Sequence, residues 1–340
     1  MTKETQENHS QPTFTSEKSP SASVNSLAAS AIGRALDYAG STPRSPITDY
    51  KKFIENSELK RLGEGTDVVA YILETPDGPE VVRFNKETDY GFKKDKFAAE
   101  HFASPRVPIP RVMDVGKWEY ADYYAVSELV PGKIFKDFSS EEVVALTPVV
   151  VETLGALHET THSQTGFGWW NPDGNGKHQS WRDTLIVLRD LGVNPELKSK
   201  SLFEPKVMEQ IMAASSQLLP YCPEERRPIH GDPGHNILID NGQVTGVIDW
   251  TQSMYGDPLF DVAKLDLHFP ESNFKAVFKR RYESKGTIPQ NFDERILCYQ
   301  LLVGISDLVH FVKNEKETTY KRRKAGILKA IQDSGITFQN

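Results

Sequence analysis

The residues best suited to chemistry lie between His230 and Trp250. Asp232, Asn236 and Asp249 offer two carboxylates and one amide, all oxygen donors. Asn241-Gly242 stands between them and is a strong hairpin signal, because a type I′ turn needs positive φ at both central residues. Pairing the flanking runs about that turn sets Ile239 opposite Val244 and Ile237 opposite Gly246. The same register carries Asp249 level with residues 234–236, so the three side chains meet at the open end of the hairpin. Hard oxygen donors of this kind suit Mg²⁺. Asn236 and Asp249 are the metal candidates, and the ion would neutralise charge on a transferring phosphoryl group. Asp232, just before the loop tip, is the catalytic candidate, placed to orient a substrate hydroxyl and accept its proton. An ordinary hairpin with Asp and Asn in its turns is the simpler alternative, but it leaves the convergence of three donors unexplained.

A second pattern competes. His158-Glu159-Thr160-Thr161-His162 matches HExxH, in which two histidines on one helix face hold zinc and the glutamate is the general base. Here the pattern falls at the end of its helix, before Ser163-Gln164-Thr165-Gly166, and no HxxGxxH extension follows. A zinc-protease helix continues through the second histidine. A zinc metalloprotease is therefore kept only as an alternative.

The elements that must position these residues fall into two groups. Residues 1–23 are almost all polar and cannot bury enough surface to offset chain entropy, so disorder is expected there. Leu27, Ala28, Ala31, Ile32, Ala35 and Leu36 recur at helical spacing and predict a short helix over 25–39, with residues 1–45 as a whole forming tail and linker. From Leu59, short runs such as 68–73 and 80–84 alternate with Gly- and Pro-containing turns and predict strands, with a helix over 92–103. From about residue 140 helical patterns dominate, apart from the hairpin at 237–248. The expected fold is α+β and two-lobed: a small antiparallel-sheet lobe over 46–131 and a larger helical lobe over 132–340.

Several motifs resemble the aminoglycoside phosphotransferase family, whose fold is related to that of protein kinases. They are His230-Gly231-Asp232, Asn236, Ile248-Asp249-Trp250, the run from Gly256 to Asp261, and the helix ending Leu157-His158. Ser180-Trp181-Arg182-Asp183 and the stretch from Gly91 to Pro110 extend the resemblance, which covers roughly 58–310. It implies a protein-kinase-like fold, ATP or GTP with Mg²⁺, and phosphoryl transfer to a hydroxyl of a small molecule such as an aminoglycoside, with hygromycin B first among the named acceptors. It also implies cofactor-binding positions: Gly63 and Gly65 in the turn above the nucleotide phosphates, Arg83 on the third strand, an acidic partner for Arg83 on the next helix, and the backbone of Ser127 and Leu129 at the hinge beside adenine. Asp95 shares the apolar face of that helix with Ala98, Ala99 and Phe102, and is favoured over Glu100. Two departures stand out. Asn236 follows Asp232 by four positions where the family usually has five, and Arg83 replaces the more frequent lysine, a change that alters how phosphate is gripped. Asp257 and Asp261 are expected to cap the helix after the metal loop.

Composition narrows the partners. Of 340 residues, 40 are Lys or Arg and 47 Asp or Glu, a net charge of −7. No basic footprint for nucleic acid is visible, and an acidic chain suits a cationic small molecule. Asp266 and Asp307 are further acidic candidates, more simply solvated charges. No uninterrupted apolar run approaches the ~18–20 residues of a membrane span, so no membrane partner is expected. The two cysteines, Cys222 and Cys298, fit a reducing cytoplasm, and a monomer is expected. Only eleven residues separate Asp249 from Asp261, which leaves no room for a protein-kinase activation loop. A catalytically weak nucleotide-binding scaffold is the other alternative, given the short catalytic loop.

Overall fold

The structure is a computed structural model that describes residues 47–65, 67–119 and 122–335. The amino-terminal tail and the helix expected at 25–39 lie outside the described residues. The described chain begins with helix α1 (Tyr50–Glu55), where the Asp49 side chain caps the first turn by accepting from Lys52 N. Strands β1 (Leu59–Glu64), β2 (Val68–Thr75), β3 (Gly78–Asn85), β4 (Val112–Lys117) and β5 (Tyr123–Glu128) follow, with helix α2 (Tyr90–Phe102) between β3 and β4. They form one antiparallel sheet in the order β1-β2-β3-β5-β4. Its core is small: Ile54, Leu59, Leu73, Val82, Trp118, Tyr124 and Val126. Helix α2 is not part of it. Phe97, Ala98 and Phe102 of α2 belong instead to the main core of the helical lobe.

That lobe contains β6 (Lys133–Ile134), α3 (Ser140–His158), β7 (Phe167–Trp170), β8 (Gly176–His178), α4 (Trp181–Asp190), α5 (Pro205–Leu218), β9 (Arg227–Ile229), β10 (Ile237–Asp240), β11 (Gln243–Val247), β12 (Met254–Gly256), α6 (Leu259–His268), α7 (Phe274–Ser284), α8 (Phe292–Lys313) and α9 (Glu317–Asp333). Helix α3 opens with a capping box in which Ser139 and Glu142 satisfy each other's backbone amides. The sequence pattern misses the four-stranded sheet β8-β7-β12-β9. Its strands are three or four residues long, too short for alternation to register. It also underrates α8, which at 22 residues is long and apolar enough to cross a membrane by composition. Its apolar window is 67% buried inside the protein, packed among α5, α6 and α9 as the central core helix.

The hairpin needs one correction. Asn241 and Gly242 take φ values of 49° and 76°, the two positive angles of a type I′ turn. Ile239 faces Val244 as expected, but Ile237 faces Val247 rather than Gly246. A bulge leaves Thr245 without a strand partner, and its hydroxyl turns to the Pro131 and Leu238 carbonyls. Asp249 shifts by one position and still lies level with residues 234–236.

Candidate active site

The loop from His230 to Asn236 joins β9 to β10 and is held from behind by one carboxylate. Asp261, fully buried in the first turn of α6, accepts from the amides of His230 (2.9 Å) and Gly231 (2.8 Å) and from His158 Nε2 (3.0 Å). Burial alone would raise its pKa, but His158 and His230 hold it below the usual carboxylate range. It is therefore a loop brace and not the helix cap expected from sequence. Asp257 stands one residue before Pro258, the N-cap of α6, and accepts from Leu259 N at 3.0 Å; it also grips Arg295 through both oxygens at 2.8 and 2.6 Å.

His230 ties the loop to the metal-candidate strand. Its Nδ1 accepts from Asp232 N at 3.2 Å, so Nε2 carries the hydrogen that reaches the Ile248 carbonyl at 3.0 Å. Gly231 has no alternative at its position. Its φ is 79°, and an added Cβ would lie 2.2 Å from the Gln252 carbonyl oxygen.

Asp232 comes next. Asn236 Nδ2 donates to the Asp232 carbonyl (2.9 Å) and to its Oδ2 (3.2 Å). Lys264 Nζ lies 2.9 Å from Asp232 Oδ1 and His235 Nδ1 lies 3.4 Å from it. Burial pushes the Asp232 pKa up, but His235 and Lys264 together hold it far below the usual range. Ile248 N donates to the Asn236 carbonyl at 2.9 Å, which brings Asp249 beside the loop. Asp249 adopts φ 55° and ψ 80° without being glycine, and its Oδ1 accepts from Thr251 N at 3.2 Å. Such a left-handed residue costs roughly 1–3 kcal/mol, which the surrounding bonds must offset. With the Asn236 amide nitrogen directed at Asp232, Asn236 Oδ1 and Asp249 Oδ2 are left with no hydrogen-bond donor among the described residues. Two hard oxygens, one of them charged, fit Mg²⁺, which usually takes one or two protein ligands and fills its shell with phosphate and water.

On the sheet side, Arg83 of β3 pairs with Asp95 of α2 at 2.6 Å, while Glu100 pairs with exposed Lys96. The second oxygen of Asp95 accepts from Trp250 N at 2.8 Å. Its neighbour Lys94 is 0% exposed and donates to the carbonyls of Thr251 (2.8 Å) and Ser253 (3.1 Å), with its ammonium 4.5 Å from the Trp170 ring centroid. Burial, reinforced by Lys177, brings the Lys94 pKa down to about 7. Gly63, Ala70, Arg83 and Ala125 form one row across β1, β2, β3 and β5. Gly63 thus lies within β1 and not in the turn expected from sequence, which leaves Gly65 there, and a Cβ on Gly63 would meet nothing within 4 Å, so this end of the strand borders open space. Ser127 lies within β5 between Val81 and Val112, which commits its backbone to the sheet. Leu129 is the first residue past the strand, and no backbone hydrogen bond reaches it among the described residues. The structure thus brings Arg83 to Asp95, and Asp232, Asn236 and Asp249 to one another. Gly63, Gly65, Ser127 and Leu129 stand apart from both groups.

The HExxH residues diverge. Helix α3 ends at His158, which turns to Asp261. Glu159 is paired with Arg281 at 2.7 Å and with Lys285. Burial acts to raise its pKa, but Lys285 and Arg281 hold it at about 2, so it is an unsuitable general base. His162 stacks on Tyr255 with centroids 4.0 Å apart. Lys264, His235 and Lys94 are contributors that sequence reasoning missed. A signal existed for Lys264, which follows Asp261 by three positions on one helix face; Lys94 is indistinguishable in sequence from Lys93 and Lys96. Asp266 and Asp307 are not solvated charges. Asp266 accepts from Lys275 N and Gln300, and Asp307 pairs with His268 and Arg323.

The sequence model of the phosphotransferase enzyme family matches residues 58–293. Hygromycin-B 4-O-kinase of Escherichia coli is 32% identical over 267 residues, covering 76% of each chain. An uncharacterized protein of Bacillus subtilis, YcbJ, is 32% identical over 78 residues, 22% of this chain and 26% of that one. Among solved structures, a thermostable mutant of aminoglycoside phosphotransferase APH(4)-Ia, in ternary complex with AMP-PNP and hygromycin B, matches with a TM-score of 0.71 at 28% identity. The match covers 85% of this chain and 100% of that one, and the two share the two-lobed, kinase-like fold.

Proposed function

The chain belongs to the phosphotransferase enzyme family and is a small-molecule kinase that acts on an alcohol group; from that premise we propose that it moves the γ-phosphoryl group of ATP to a hydroxyl of hygromycin B. The observation that carries this is the meeting of Asp232, Asn236 and Asp249 on a loop braced by Asp261. Asp232 orients the acceptor hydroxyl and receives its proton as the new O–P bond forms. Asn236 and Asp249 hold Mg²⁺, which supplies neutralising charge to the transferring group. Arg83, kept straight by Asp95, grips phosphate with a charge that cannot be lost and two donors in one plane. Gly65 in the β1–β2 turn and Gly63 at the end of β1 let that edge of the sheet lie close over phosphate without side chains. Leu129, free of the sheet ladder, offers its backbone to adenine, a role that Ser127 cannot share while it is paired.

ATP as donor is supported by the AMP-PNP complex of the structural relative, and hygromycin B by the names of both relatives. A net charge of −7 favours a polycationic acceptor. The function belongs in the cytoplasm, where ATP is present and the chain's two cysteines, Cys222 and Cys298, would stay reduced. A coupled ADP-release assay with ATP, Mg²⁺ and a panel of aminoglycosides tests it. Release on adding hygromycin B is expected, together with survival of a sensitive bacterium that expresses the chain. Turnover of a different aminoglycoside with none of hygromycin B would replace the acceptor and keep the reaction.

A further inference from the structure

One face of α6 cradles the whole loop. Asp261, Lys264, Leu265 and His268 lie three or four residues apart and share that face. The Gly231 backbone is held on both sides of its Cα: its N–H donates to Asp261 Oδ1 (2.8 Å) and its carbonyl accepts from Lys264 Nζ (2.7 Å). The same ammonium lies 2.9 Å from Asp232 Oδ1, and the Lys264 side chain is only 18% exposed. Further along, a Cβ on Gly234 would lie 2.5 Å from the Phe269 ring, and His268, bonded to Asp307 at 3.0 Å, stands edge-on to His235. A solvated ion pair contributes little. An ammonium that is largely covered and fixes two consecutive loop residues has a more definite task.

We propose that Lys264 is a positioning residue of the transfer reaction, which rests on the reading of Asp232 as the acceptor-facing carboxylate. Lys264 and His235 both address Oδ1, while Oδ2 has only the Asn236 amide. A carboxylate oxygen has two lone-pair directions: Lys264 at 2.9 Å takes one on Oδ1 and His235 stands 3.4 Å away on that same oxygen, so Oδ2, with only the Asn236 amide, is the less covered of the two. Lys264 therefore turns Oδ2 toward the acceptor. In the step, the acceptor O–H bond breaks with its proton going to Oδ2, the new O–P bond forms, and the bond from the γ-phosphorus to the ADP oxygen breaks.

The test compares wild type with Lys264→Met, Lys264→Arg, Asp232→Asn and the double variant Lys264→Met/Asp232→Asn, using Mg·ATP and hygromycin B. Lys264→Met is expected to lower kcat about 10- to 100-fold, the cost of a misplaced catalytic group, with the KM for ATP unchanged. Lys264→Arg should recover part of the loss. The double variant should be no slower than Asp232→Asn alone, because both holds of Lys264, on the Gly231 carbonyl and on Oδ1, affect the step by placing that one carboxylate. Wild-type kcat in Lys264→Met, or losses that multiply in the double variant, would overturn the proposal. Wild-type kcat in Asp232→Asn would instead remove the reading beneath it. If Lys264→Met does not fold, Lys264→Gln removes the charge, retains a donor for the Gly231 carbonyl, and is held to the same outcomes. Hydrogen exchange of residues 230–236 needs no acceptor: faster exchange in the folded variant is expected, and unchanged exchange would sink the clamp.

Discussion

A carboxylate that receives an acceptor hydroxyl must be ionised before the substrate arrives. Asp232 meets that condition through its neighbours, since Lys264 and His235 outweigh the burial that would otherwise protonate it. Asp232→Asn keeps the size and loses the charge, so turnover should fall about 10²–10⁴-fold while calorimetric titration with Mg·ATP stays near wild type. Asp249→Ala should behave differently. Of the two carboxylates beside Asn236, Asp249 is the one with an oxygen that no donor reaches among the described residues, so nucleotide affinity in the variant should no longer respond to Mg²⁺; equal tightening in variant and wild type would place the ligand elsewhere. These three residues were legible in sequence because one Asn-Gly turn fixes their register, even though the Thr245 bulge moved it by one. The Arg83–Asp95 choice was legible from the apolar face of one helix. Lys264 and the bracing role of Asp261 were not, because their partners lie some 30 residues away and depend on how α6 packs.

At the scale of elements, α6 holds the loop that carries Asp232 and α2 holds the segment that follows Asp249. Asp261 gives α6 its grip, satisfying two buried amides and a buried imidazole. Asp261→Ala leaves those donors unpaired and should cost about 3–5 kcal/mol, seen as a lower Tm with activity lost in proportion. Helix α2 holds the segment after Asp249 through Lys94 and Asp95. The folded-state pKa of Lys94 is about 7, below its ordinary 10.5. Across that window the unfolded chain holds the extra proton, so the contribution of Lys94 to stability rises with pH. Urea unfolding of wild type and Lys94→Met should therefore diverge in favour of wild type toward the alkaline end of that window. A pH-independent gap would mean that Lys94 stays charged. The long elements were readable from periodicity. The strands β7, β8, β9 and β12 were not, since their pairing is decided by tertiary contact and not by their three or four residues.

Across the whole molecule, the lobe suggested by the chain is not the lobe made by packing. Helix α2 lies in sequence between two strands of the small sheet, yet Phe97, Ala98 and Phe102 join the core of the helical lobe, and Lys94 and Asp95 bond to residues 250–253. Calorimetry should show one unfolding transition, moved as a unit by Mg·ATP, and residues 46–131 alone should not give a stable fold. Two transitions, or a well-dispersed NMR spectrum from that fragment, would contradict this. The consequence reaches protein engineering. A chimaera that takes its first 131 residues from one relative and the remainder from another would graft α2 onto a foreign loop, and any difference in that loop's path would draw the carbonyls at 251 and 253 and the amide at 250 away from a buried ammonium and a buried carboxylate. The unit that can be exchanged between family members is α2 together with residues 249–253, and recombination between them should succeed only where both come from the same parent.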